Sequence, residues 1–217
     1  MSSITIIYLI ILATVFAIGM VRYRRLTIPF RILTFSVLLT LFWQALSIVF
    51  AVRYRNNAFT YHFECLTAYI FYTLTYFYLF RSRTIKAGLL ATLISVFVLF
   101  LINILFIQRP ADKQFPTYIY LLTNGLYVIF ALLLYKQMLQ YPLNLNIVRQ
   151  SSFWFNTAII AFSTLMFINL GFLNYYALHN WGKDIIYYFW NGNLYLFNIL
   201  ICVSLLTDNK NNSVQYG

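Results

Sequence analysis

Seven apolar stretches fill nearly all of this 217-residue chain, and each approaches or exceeds the roughly 20 residues a helix needs to cross about 30 Å of hydrocarbon. They are read at Ser3 to Val21, Pro29 to Val52, Thr60 to Phe80, Lys86 to Ile107, Pro116 to Leu139, Ser152 to Asn174 and Asp184 to Leu206. Hydrophobic residues make up 62% of the chain and charged residues 9%, against about 25% charged in a soluble domain. No water-soluble core would hide so much apolar side chain. In hydrocarbon every backbone polar group must be satisfied internally, which selects helices. The expected fold is an all-α integral membrane protein, a compact seven-transmembrane-helix bundle over residues 1–206 with a short polar cytoplasmic tail at 207–217. The first stretch has no basic segment ahead of Ile4 and its charges follow it, so it is expected to stay as a spanning helix rather than be cleaved as an export signal. The connectors are too short to hold a soluble catalytic or nucleotide-binding domain.

The formal charge of +11 does not read as a nucleic-acid surface, because the basic residues sit in short clusters between apolar runs. They read instead as topology signals and lipid headgroup contacts. If the N-terminus lies outside, Arg22, Arg24, Arg25, Arg31, Arg81, Arg83, Lys86, Lys136, Arg149 and Lys210 are cytoplasmic, and only Arg53, Arg55, Arg109, Lys113 and Lys183 are external. The excess of positive charge inside therefore selects N-out and C-in, and implies a multi-pass protein of the cytoplasmic (inner) membrane. Trp154 and Trp181, with Tyr8, Tyr61, Tyr78, Tyr118, Tyr135, Tyr141, Tyr175 and Tyr187, recur near span ends, where an amphipathic ring anchors helix depth at the headgroups.

This topology brings a set of polar residues to one depth. Gln44, Glu64, Asn103, Asn124, Asn169, Asn191 and Asn193 come from six spans running in alternating directions, yet all fall nearer the external side. Two readings stand side by side. The groups line an outward-facing pocket for a small polar or amphipathic ligand, or they join helices by amide hydrogen bonds worth roughly 0.6 to 2 kcal/mol each. Asn156 and Asn198 lie elsewhere along their spans and read as packing groups. Glu64 is the sharpest feature, since a carboxylate within a span is costly and needs a partner, either Arg53 or Arg55 as electrostatic support or Gln44 and an asparagine as hydrogen-bond donors. Gly192, between Asn191 and Asn193, is expected to allow close helix approach or a local distortion.

Metal, haem and retinal chemistry find no adequate residue set. His62 and Glu64 are two apart and point away from one another on a helix. His179 is the one other histidine, and no lysine sits centrally in the last span. No cofactor is implied. Cys65 and Cys202 are assigned opposite depths and read as small apolar fillers rather than a bridge.

The polar start of the third span, Tyr61 to Tyr72 including Glu64, and the run Ser152-Phe153-Trp154-Phe155-Asn156 opening the sixth resemble an uncharacterised Bacteroidota family of small seven-helix membrane proteins, often encoded near histidine kinases. The resemblance spans most of the chain and implies a bacterial inner-membrane protein with a bias toward sensing or signalling. It supplies no catalytic residues. Three functions follow from the residues: a membrane sensor or signalling accessory protein that binds its ligand in the outer pocket and acts on a membrane signalling protein; a small-solute or proton-coupled transporter using Glu64; and an intramembrane lipid-modifying enzyme, for which no nucleophile or metal triad is present. Membrane lipid is the partner common to all three.

Overall fold

A computed structural model describes residues 3–112, 115–141, 146–179 and 183–209, without the side chains of 112, 171–179 and 183–186. Trp181, Lys113 and Lys210, and the side chains of Tyr175, His179, Lys183 and Asp184, lie outside this description. Seven long helices carry the described chain: α1 (Ser3–Arg22), α2 (Ile28–Tyr54), α3 (Ala58–Leu79), α4 (Arg83–Ile102), α5 (Thr117–Gln140), α6 (Ser151–His179) and α7 (Lys183–Thr207). Each begins and ends within a few residues of the span expected from apolarity, α6 excepted, which continues past Asn174 to His179. Pro29 opens α2, where its missing N–H is no loss, and the Ser82 hydroxyl accepts from the Ile85 N–H to start α4. α2 stops at Arg55, which takes the left-handed conformation at φ 51° that a glycine occupies at many helix ends. Arg55→Gly is accordingly expected to raise the unfolding free energy by about 0.5–1 kcal/mol, read by thermal unfolding in detergent.

Six of the seven helices are long and apolar enough to cross a membrane, and α3 is not among them. The surface is apolar and much of the polarity is inside. Val52, Ile94, Leu105 and Phe106 are exposed, whereas Thr34, Ser36, Thr60, Thr73, Thr75 and Asn156 are buried. That distribution inverts the soluble pattern and matches helices immersed in a solvent as apolar as leucine.

The helices divide into two compact units. In the first, made of residues 1–25 and 124–209, α7 packs on α6 and α1. Tyr8, Leu12, Val15 and Gly19 recur every three or four residues as the buried stripe of α1. Tyr195 stacks on Tyr8 with ring centres 6.3 Å apart and donates to the Ile4 carbonyl at 2.8 Å. The run at the start of α6 has a structural use: Trp154 donates to the Val148 carbonyl at 2.8 Å, and Asn156 reaches across to the Ala131 carbonyl of α5 at 2.9 Å.

Asp208, which polarity alone assigns to the tail, is buried. Its carboxylate accepts from the Ser151 hydroxyl at 3.0 Å, and its carbonyl accepts from Arg22 at 2.8 Å. A negative charge thus meets the N-terminal turn of α6, where the helix dipole favours it, while Arg22 closes the end of α1. Asp208→Ala is expected to cost about 1–2 kcal/mol and Asp208→Asn less, because the amide oxygen still accepts from Ser151. Comparing the two thermal midpoints checks the order.

The second unit, residues 26–123, is organised around α3. Ala58, His62, Cys65, Tyr69, Tyr72, Tyr76 and Leu79 alternate steps of four and three residues, and all are buried. Seen as composition this helix is polar and aromatic, but Glu64 turns toward α2 and Cys65 toward the first turns of α5. Phe30, Leu33 and Val37 form the facing stripe of α2, continued at the same spacing by Thr40, Gln44 and Ser47. Leu89, Val96 and Phe100 make that of α4, and Asn103 ends it.

Candidate functional site

The α2–α3 hairpin sets the site's geometry. With a rise of 1.5 Å per residue, Glu64 lies about 9 Å into α3 and Gln44 about 15 Å before the end of α2, so the two meet near the turn that joins the helices. Gln44 Nε2 donates to both carboxylate oxygens of Glu64, at 3.0 and 3.1 Å. Nearer the turn, Asn57 donates to Ser47 Oγ at 3.0 Å, and Asn56 crosses to the Pro110 carbonyl at 3.0 Å, which ties this end of the unit to the α4–α5 connector. Of the partners weighed for Glu64, the neighbouring amide is the one it meets. Arg53 is exposed and lies over the Tyr54 ring at 5.7 Å, and Arg55 is exposed at the helix stop. Gln44 and Glu64 are themselves only half-buried.

An aromatic contact joins the same two helices, through Trp43 of α2 and Phe63 of α3. The two rings stack at 5.9 Å, and Phe63 continues to Phe59 at 4.5 Å and to Phe100 of α4 at 5.6 Å. Below it, Cys65, Leu66, Phe100 and Ile119 form an apolar cluster on which Phe63 and Ile104 pack. The Cys65 thiol approaches the Thr123 hydroxyl at 3.8 Å, and both cysteines are free.

Asn103 lies one turn beyond Phe100 on the inward face of α4. Its side chain is buried, and neither amide atom has a hydrogen-bond partner among the described residues. The same holds for the buried indole N–H of Trp43. At Asn103 the backbone leaves α-helical register for a π-turn over Asn103–Ile107, closed by the Gln108 N–H on the Asn103 carbonyl at 2.8 Å. The Gln108 side chain then accepts from the Tyr118 N–H at 3.2 Å and so holds the first turn of α5. Buried amides left unbonded cost about 1–3 kcal/mol each, and π-turns concentrate at functional positions. Hydropathy gives no sign of this turn.

The remaining polar residues belong to the other unit. Asn124 is buried there. Asn191 donates to the Tyr187 carbonyl four residues back at 2.7 Å, as Asn198 does to Leu194 at 2.8 Å, so both serve their own helix. Asn193 crosses from α7 to the Phe162 carbonyl of α6 at 3.1 Å, and Asn169 is buried with no partner for its Nδ2 among the described residues. Within this unit Asn193 bonds across helices and Asn191 and Asn198 bond back along their own, while the Asn124 and Asn193 Oδ1 atoms and the Asn169 Nδ2 are buried. The close approach expected at Gly192 is not found: a methyl group built there, or at Gly125, meets nothing within 4 Å, and α7 continues unbroken. His62 is turned into the α3 stripe while Glu64 faces α2, and among the described residues no three His, Cys, Asp or Glu side chains gather as a metal site would require.

Comparisons of the chain with protein-family models, with curated proteins and with solved structures find no match.

Proposed function

We propose that the chain is a multi-pass protein of the cytoplasmic (inner) membrane, with its N-terminus outside and C-terminus inside, that acts as a sensor or signalling accessory protein. A small polar or amphipathic ligand binds at Gln44, Glu64 and Asn103, and the bound state is passed to a membrane signalling protein. One observation carries this reading: a half-buried carboxylate whose described polar partner is a neutral amide, in the same unit as a buried Asn103 whose two amide atoms have no partner among the described residues. Side-chain packing alone leaves these groups undersatisfied, and a ligand supplies what is missing. The polar start of α3 is also one of the two segments that carry the resemblance to membrane proteins encoded near histidine kinases.

The π-turn offers the output. A ligand drawing on Asn103 acts on the residue whose carbonyl closes that turn, and Gln108 connects the turn to the start of α5. A shift between π and α register moves the following residues by a fraction of a turn, which is a discrete two-state change that differential ligand affinity can bias. α3 acts as the seventh span on this reading, its polarity screened by α2, α4 and α5.

The topology is tested by cysteines introduced at Ser2 and Ser213 in a C65A/C202A background, with a membrane-impermeant maleimide expected to label the first and not the second in intact cells. The function is tested by spin labels at Phe42 and Tyr118 of the purified protein, screened against small polar and amphipathic compounds. The expected result is a distance change on binding that Glu64→Ala abolishes. Binding that depends on Glu64 yet leaves helix positions and partner association unchanged removes the sensor mechanism, and selective solute movement in proteoliposomes replaces it with transport.

A further inference from the structure

The chemistry around Glu64 narrows the ligand, on the premise that the site binds one. The carboxylate offers about four lone-pair positions on its two oxygens, and Gln44 contributes a single nitrogen shared between them. Gln44 brings no charge. In a half-buried setting beside apolar helices, an acid without a countercharge is unfavourable, and a bound cation with N–H donors corrects both deficits. The second element is aromatic. Trp43 and Phe63, each next in sequence to one member of the pair, stack across the same two helices, and π-faces attract ammonium groups. The third is Asn103, whose unbonded Oδ1 accepts a further N–H and whose Nδ2, like the Trp43 N–H, can donate to an oxygen elsewhere on the ligand.

We propose that the site takes a small organic ammonium: a cationic amine on Glu64, an apolar or hydroxylated remainder against Trp43, Phe63 and Asn103. A free amine and the headgroup of phosphatidylethanolamine share this chemistry. The geometry favours a primary ammonium over a quaternary one, because the acceptors at Glu64 and Asn103 reward N–H donors.

The test uses the full chain in nanodiscs of phosphatidylcholine and phosphatidylglycerol, with binding followed by calorimetry. The probes are 2-phenylethylammonium and its neutral isostere 2-phenylethanol, joined by ethanolamine. The ammonium is expected to bind, with affinity falling about thirtyfold or more in Glu64→Gln, a substitution that keeps a hydrogen-bonding group opposite Gln44. Asn103→Leu serves as a second variant and is expected to weaken the same ligand while stabilising the fold. If the headgroup is the source, discs containing phosphatidylethanolamine raise the thermal midpoint of the wild type and not of Glu64→Gln, and they suppress binding of the free amines. Equal binding of the alcohol and the ammonium, unchanged in Glu64→Gln, overturns the ammonium assignment while leaving the site as a ligand site. Failure of both amines and of phosphatidylethanolamine to act on demonstrably folded protein overturns the assignment too. A Glu64-dependent response to some neutral compound in the broader screen then preserves the binding reading, and absence of any response removes both.

Discussion

Tyr76→Ala is expected to lower the unfolding free energy of the protein by about 3 kcal/mol or more, the largest loss anticipated for a single substitution here. Tyr76 is fully buried on the α3 stripe and stacks on Phe80 with ring centres 5.9 Å apart. Helices in a membrane gain little from hiding apolar surface from lipid, so their association rests on close packing, and removing a large ring leaves a cavity that neighbouring helices fill only in part. The control is Phe106→Ala. Phe106 is 71% exposed, it leaves no cavity when truncated, and the change is expected within about 0.5 kcal/mol of zero. Thermal or denaturant unfolding in one detergent measures both. Equal effects of the two substitutions defeat the assignment of an interior tyrosine stripe and an exterior apolar face.

Gln44→Leu is expected to cost about 2 kcal/mol, because it removes the donor to both oxygens of Glu64 and leaves the acid against an apolar neighbour. The double substitution Gln44→Leu with Glu64→Leu is expected to recover most of that loss, since replacing both partners by apolar groups leaves nothing unsatisfied. The coupling between the two positions, taken from the four unfolding free energies, isolates the pair from whatever else each side chain touches. A coupling near zero means that Glu64 is served by water or lipid headgroups, and the case for a ligand at this site weakens with it. A protein that gains stability in the double variant while losing its ligand response shows that the pair is kept for binding.

Much of the architecture was legible in the chain. The order and approximate limits of six helices follow from apolar runs of membrane-spanning length, because the transfer cost of a segment is a sum over its residues and needs no knowledge of neighbours. The antiparallel α2–α3 hairpin follows from the shortness of residues 55–57. Sequence offers Gln44, Arg53 and Arg55 on equal terms as partners for Glu64, and Gln44 is the one it meets. What decided between them is helix phase: Gln44 continues the stripe of Phe30, Leu33 and Val37 that faces α3, whereas Arg53 and Arg55 point outward at the helix end.

Other features were out of reach for a physical reason. The unbonded state of Asn103 depends on which groups arrive from other helices, and the π-turn beginning there is a one-residue change of backbone register that composition does not encode. Asp208 reads as tail because it is polar and follows the last apolar run, yet Ser151 and Arg22, distant in sequence, converge on it. Gly192 reads as a contact point because small residues often are, but contact requires a neighbour, and among the described residues none stands within 4 Å.

The sequence by itself therefore determined the solvent for which the chain is built, the helices that solvent demands and the rarity of the carboxylate within them. Those are properties of residues added along a line. Tertiary structure alone decided that α3, the one long helix not apolar enough by itself to count as a span, forms the centre of its unit, that Glu64 meets an amide instead of an arginine, and that Asn103 is enclosed with no partner among the described residues. These depend on rotation about each helix axis and on which neighbours arrive, and a linear sum of hydropathy carries no information about either.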